Sequence, residues 1–208
     1  MKKNNLILTI VWLTALLFST SGYAQTVTIG KQVWTTKNLN VATYRNGDEI
    51  PQVQDEKAWA ELTTGAWCYY NNDASNGTKY GKLYNWYAVN DPRGLAPKGY
   101  HIPTDAEWTQ LSDYLGGESK AATKIKSTSG WPNNGNGKNS SGFSALPGGE
   151  RGQSGDFVLG GSVGFWWSFL QTTSDWAMSR SQGDFRGIPF SRTQTTKGDG
   201  FSVRCLRD

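Results

Sequence analysis

The sequence predicts an α+β fold with few short helices, small antiparallel sheets and long ordered loops. Three observations lead there. The clearest helix signature is confined to one short stretch after Thr104. Short apolar and aromatic runs recur from Val27 to Val203, each closed by Gly, Asn or Pro. Between them lie polar stretches rich in Gly, Ser and Asn, the composition of surface loops.

Taken in order, Thr26–Ile29 and Gln32–Trp34 flank Gly30 and read as a hairpin. Asn38–Tyr44 reads as extended chain, closed by the turn Asn46-Gly47-Asp48. Asp55 is an N-cap for a short helix to Leu62, with Ala58, Trp59 and Leu62 on one face. Ala66–Tyr70 reads as a strand, Asn71–Lys79 as a polar loop, and Leu83–Val89 as a second aromatic stretch that Asp91-Pro92-Arg93-Gly94 breaks. Thr104 and Glu107 have capping-box spacing. Trp108, Leu111 and Leu115 then form one apolar stripe, and Gly116-Gly117 stops the helix. Ser127–Gly142 is a long loop, and Gly148–Gly164 a run of turns. Phe165–Ser168, Trp176–Met178 and Gly200–Cys205 read as strands.

The 208 residues include ten Trp, nine Tyr and eight Phe, too many large apolar side chains for a disordered chain. Residues 1–24 read as a secretory signal peptide: Lys2-Lys3, an apolar run from Leu6 to Phe18, and a small-residue site at Gly22-Tyr23-Ala24. That run is too short to span a bilayer, and no Cys follows the site to mark a lipoprotein. Residues 25–208 are then one domain, secreted or held at the cell surface. Cleavage removes two lysines and lowers the net charge from +4 to +2. Without a block of Lys or Arg, that is too mild for nucleic acid or an anionic membrane. Cys68 and Cys205 read first as one disulfide in an exported chain, with two buried free thiols as the other reading.

Chemistry-bearing motifs are few. His101, the one histidine, precedes a helix cap and reads as packed or bonded to backbone. No nucleophile signature surrounds a Ser or Cys, and no zinc cluster, Walker loop or EF-hand spacing is present. No cofactor is expected, and the loop Asp and Asn residues leave room for a single calcium site only. Trp34, Trp59, Trp86, Trp108, Trp166 and Trp167 lie at core-like positions. Trp131, Trp176 and Phe185 lie in polar surroundings and are candidates for exposed contact.

Several stretches together resemble a known family. They are Ile29–Trp34, Asn38–Val41, Tyr80–Val89, Pro97–Trp108, Ser141–Gly149 and Gly200–Cys205. In this order they resemble the Fibrobacter succinogenes major paralogous domain, common in exported proteins of Bacteroidota and Fibrobacterota. The resemblance implies a C-type lectin-like fold in the variant shared with formylglycine-generating enzymes. The family often carries a Cys where this chain has Ala96, and a Trp where it has Tyr100. The usual bridge to the terminal Cys is therefore impossible, and Cys205 pairs with Cys68 or stays free. The redox Cys pair of those enzymes and the calcium–sugar motifs of true C-type lectins have no counterpart here.

Similar domains display variable residues between a Trp-Trp-Ser strand and a terminal Gly-Phe-Ser-Val-Arg. By that resemblance, the display segment here is Ser168–Lys197. It offers Phe169, Trp176, Met178, Arg180, Gln182, Phe185, Arg186, Phe190 and Arg192 for ligand contact, with aromatic and Arg side chains suited to interface hot spots. The expected function is an exported, non-catalytic binding or adhesion module for a surface protein or glycan, its basic side chains favouring a polar or acidic partner. The alternatives are a secreted glycan-active enzyme, for which Asp156, Asp175, Asp184 and Asp199 are the loop acids to inspect, and a structural subunit of a cell-surface assembly.

Overall fold

Two antiparallel sheets carry the chain. The structure, a computed structural model, describes residues 25–185 and 187–208; the expected signal peptide at 1–24 and the candidate Arg186 lie outside the described residues. The N-terminal hairpin forms as read: β1 (Thr26–Ile29) pairs with β2 (Gln32–Thr35) around Gly30, whose φ of 63° suits glycine. Two short distant strands, β11 (Leu206–Arg207) and β5 (Tyr100–His101), complete a four-stranded sheet in the order β1-β2-β11-β5. The second sheet holds β8 (Val163–Gln171), β9 (Trp176–Gly183) and β10 (Ser191–Thr196), with β9 in the centre. Two-stranded pairs, β3 (Trp67–Cys68) with β4 (Leu83–Tyr84) and β6 (Glu150–Arg151) with β7 (Phe157–Val158), pin the loops.

Local chemistry sets the helices. Asp55 caps α1 (Glu56–Ala60) by accepting from Ala58 N at 2.8 Å. Asn85 caps α3 (Trp86–Val89), which ends the aromatic stretch after β4. The capping box of α4 (Asp105–Tyr114) is complete, with Thr104 Oγ1 accepting from Glu107 N and Glu107 Oε2 from Thr104 N. Gly116 and Gly117, at φ 97° and 91°, turn the chain into a further helix, α5 (Glu118–Ile125). Its buried stripe is Ala121, Ala122 and Ile125, a weak signal because alanine carries little hydrophobic contrast.

The expected Asn71–Lys79 loop is instead mostly helix, α2 (Ala74–Tyr80), with Asp73 capping Ser75 N. Asn76 and Gly77 are poor helix formers, and tertiary contact overrides them. Gly77 lies against the Tyr69 ring, where a Cβ would come within 2.2 Å of it.

Aromatic packing supplies the core. One cluster joins Trp34, Trp108, Phe143, Trp166 and Phe190 across both sheets and α4, with Trp34 and Trp108 ring centroids 4.6 Å apart. Trp131 belongs to it, its indole donating to Ala145 O at 3.0 Å, so it is not an exposed contact residue. A second cluster holds Trp86, Trp167, Phe201, Val203 and Cys205, and a third Trp59, Ala66, Cys68 and Leu83. The expected disulfide is corrected here: Cys68 and Cys205 sit in different clusters and are free buried thiols. Among the described residues no helix is long and apolar enough to cross a membrane.

The loops are ordered by buried arginines that bind backbone carbonyls. Arg151 donates to Val53, Gln54, Asp55 and Gly155 and stacks on Trp59 and Phe157. Each such guanidinium satisfies several carbonyls that regular structure would otherwise have to pair.

Candidate functional site

The sheet β10-β9-β8 divides the expected display segment into three environments. Its middle is interior. Met178, Arg180 and Gln182 of β9 are buried, because β9 is the central strand and α4 covers it. Phe190, just before β10, packs on Trp108 at 5.7 Å and Trp166 at 6.3 Å. These four are core or anchor residues, a correction to their reading as ligand contacts. Arg192 is exposed but engaged: its Nε donates to Asp105 Oδ2 at 2.8 Å, while Arg180 Nη2 donates to Oδ1 at 3.1 Å. Burial lowers the pKa of Arg180, and Asp105 and Glu118 oppose that shift.

The two ends of the sheet are exposed. Phe185, 60% exposed, lies in the β9–β10 loop with half-exposed Ile188. At the opposite end, beside the β8–β9 turn, Phe169 is 46% and Trp176 42% exposed, with Leu170 nearby in sequence and also exposed. Trp176 and Gly183 bound β9, and the strand between them spans about 23 Å at the usual rise per residue. Phe185 and Trp176 therefore belong to separate surfaces.

A register shift makes the Phe169 end. Trp167 pairs with Ser179 and Gln171 with Ala177, so Ser168, Phe169 and Leu170 stand opposite Met178 alone. Such a bulge turns side chains out of the regular alternation. The backbone it frees is tied down, with Phe169 N donating to Pro103 O at 2.8 Å. Across the turn, Gln194 Nε2 donates to Thr172 Oγ1 at 2.7 Å. Nothing in the sequence marks this bulge, so Leu170 was not expected at the surface beside Phe169.

A cavity of about 350 Å³ adjoins the bulge, lined by Val89, Leu95, Ala96, Ile102, His101 and Phe169 among others. His101 is bonded to carboxylates rather than to backbone: Nδ1 lies 2.8 Å from Asp208 Oδ1 and Nε2 3.0 Å from Glu107 Oε1. Burial works against its charge, but hydrogen bonds and charge from Asp208 and Glu107 outweigh it and raise its pKa.

The loop acids have local partners. Asp184 is buried and accepts from Asn133 Nδ2 at 2.9 Å. Asp156 accepts from Ser154, and Asp199 from Gln153 N and Thr195. The carbonyl of Asp175 accepts from Lys197 N. Burial, with Asp199 and Asp156 nearby, pushes Glu150 up to about 7. A proton donor of that kind suits acid catalysis, yet Glu150 does not line the Phe169 cavity. Among the described residues no group of three or more His, Cys, Asp or Glu is placed to hold a metal ion.

Residues 27–207 match the Fibrobacter succinogenes major domain. No curated protein and no solved structure matches the chain.

Proposed function

The chain belongs to the Fibrobacter succinogenes major domain family, and on that premise we propose that it is an exported, non-catalytic binding module with a C-type lectin-like arrangement. It recognises a protein partner through the bulged end of the β8–β9 hairpin. The observation that carries this reading is the exposure of Phe169, Leu170 and Trp176 at the bulged hairpin end, with Phe169 lining a largely apolar cavity. A Phe–Leu–Trp group suits a protein side chain entering the cavity better than a sugar, because a leucine offers no face for ring stacking. The non-catalytic part rests on the lining of the Phe169 cavity, where Asp91 is the lone acid among the described residues.

The test is a binding isotherm of residues 25–208 on immobilised cell-envelope protein. The triple variant Phe169→Ser, Leu170→Ser, Trp176→Ser is compared with Phe185→Ser, and melting curves establish that each is folded. Loss of binding in the triple variant alone supports the reading. Equal loss in Phe185→Ser, undiminished binding by the triple variant, or no protein binding by the wild type overturns it.

A further inference from the structure

A second cavity, of about 570 Å³, lies between the residues after β2 and helix α2, with Arg204 in its lining. Three cations line it, Lys37, Lys79 and Arg204, and no Asp or Glu does. Arg204 is 1% exposed. Its Nε donates to Asn38 Oδ1 at 2.7 Å, Nη1 to the carbonyls of Thr35 and Phe143, and Nη2 to Ser144 O. A guanidinium has five N–H donors, so these bonds leave one Nη2 hydrogen with no acceptor among the described residues. All the acceptors are neutral. The ring of Phe143, its centroid 4.3 Å from the guanidinium carbon, adds a cation–π contact but no full negative charge.

A buried charge without a counter-charge is costly, and several other cations of this chain have one. Arg180 has Asp105 and Glu118, Arg93 has Asp91 and Asp48, and His101 has Glu107 and Asp208. Burial pulls Arg204 down to about 9, the direction that a missing anion leaves uncorrected. Arg151 is the internal control. It too is buried among carbonyls, but it sits between two aromatic rings and lines neither cavity. Burial alone makes a structural arginine. What sets Arg204 apart is an open space that two further cations share.

We propose that this cavity binds the oxyanion of an acidic sugar, a uronate carboxylate or a sulfate ester, with Arg204 at its base and Lys37 and Lys79 at its rim. Lys37 and Lys79 are exposed, Lys79 with its Nζ 4.6 Å from the Tyr80 ring centroid, and both side chains can turn to an incoming anion. The remaining lining, with Thr36 and Thr78, carries hydroxyl groups that match sugar hydroxyls. The site shares no residue with the Phe169 cavity and stands or falls apart from the protein-binding reading.

The test uses residues 25–208 and four probes: a galacturonate trisaccharide, its neutral methyl ester, a sulfated disaccharide and inorganic sulfate. Affinity is read by calorimetry, and the Arg204 Nε–H resonance is followed by NMR. Binding of the galacturonate or the sulfated sugar should shift that resonance. Lys37→Ala with Lys79→Ala, both exposed and safe for folding, should weaken binding at least about tenfold. The methyl ester should lose the uronate's affinity. Equal binding of ester and acid, an unchanged affinity in the double lysine variant, or no binding of either charged sugar overturns the site. Inorganic sulfate binding as tightly as the sugars overturns its assignment to a sugar.

Discussion

Arg180 Nη2 donates to Asp105 Oδ1 at 3.1 Å, joining the centre of β9 to the first turn of α4. The side chain is 1% exposed, so the carboxylate is the counter-charge of a buried guanidinium. Removing it leaves the buried guanidinium with Glu118 alone, 3.5 Å away and half exposed. Asp105→Ala is expected to destabilise the fold by about 3 kcal/mol or more, read from urea unfolding. A surface ion pair would give a change of about 1 kcal/mol or less, which would contradict the anchoring role.

Phe190 and Phe185 lie five residues apart in the same expected display segment, yet one is in the core and the other in solvent. Phe190→Ala should cost about 3–5 kcal/mol through the cavity left beside Trp108 and Trp166. Phe185→Ala should stay within about 0.5 kcal/mol of wild type. Comparable losses in the two variants would contradict the packing described.

His101 ties β5 to α4 and to Asp208 through its two carboxylate partners. Its pKa is raised above 6.5, so the folded state holds the proton more tightly than the unfolded chain. The resulting stabilisation is complete below 6.5 and is lost as pH rises through the raised value. With a partly exposed ring it is worth about 0.5–1 kcal/mol. His101→Gln should therefore lower the melting temperature in mildly acidic buffer and have a smaller effect in alkaline buffer. The opposite trend would overturn the pairing.

Burial pushes the thiols of Cys68 and Cys205 up to about 12. Both should resist thiol reagents in the folded protein and react fully once it is denatured without reductant. A reducing agent should leave the melting temperature unchanged. Denatured protein that yields no free thiol until it is reduced would restore the disulfide.

Legibility in the sequence followed how local each determinant is. The Asp55 cap, the Thr104–Glu107 box and the Gly30 hairpin rest on residues within four positions of one another, and all form as read. The membership of the core at Trp34, Trp108 and Trp166 followed from apolar spacing. The interior of β9 did not: Met178, Arg180 and Gln182 read, through the resemblance, as ligand contacts of the display segment. They are covered because the strand is central and Asp105, distant in sequence, supplies the charge that lets an arginine go inside. The α2 helix was hidden by Asn76 and Gly77, which tertiary packing against Tyr69 tolerates. At the candidate site, Trp176 was legible as an aromatic residue in polar surroundings, and Phe169 only through the resemblance. The bulge that turns Phe169 and Leu170 outward depends on the β8–β9 register and leaves no residue pattern.

On the proposed function, recognition occurs at the bulged hairpin end and not at the far end of the same sheet. The most direct measurement places a photo-crosslinking residue at Trp176 in one protein and at Phe185 in another, each illuminated on cell-envelope protein. The account predicts one saturable crosslinked band from position 176, competed by unlabelled wild type, and none from position 185. Crosslinking from 185 alone, or equally from both, would contradict it.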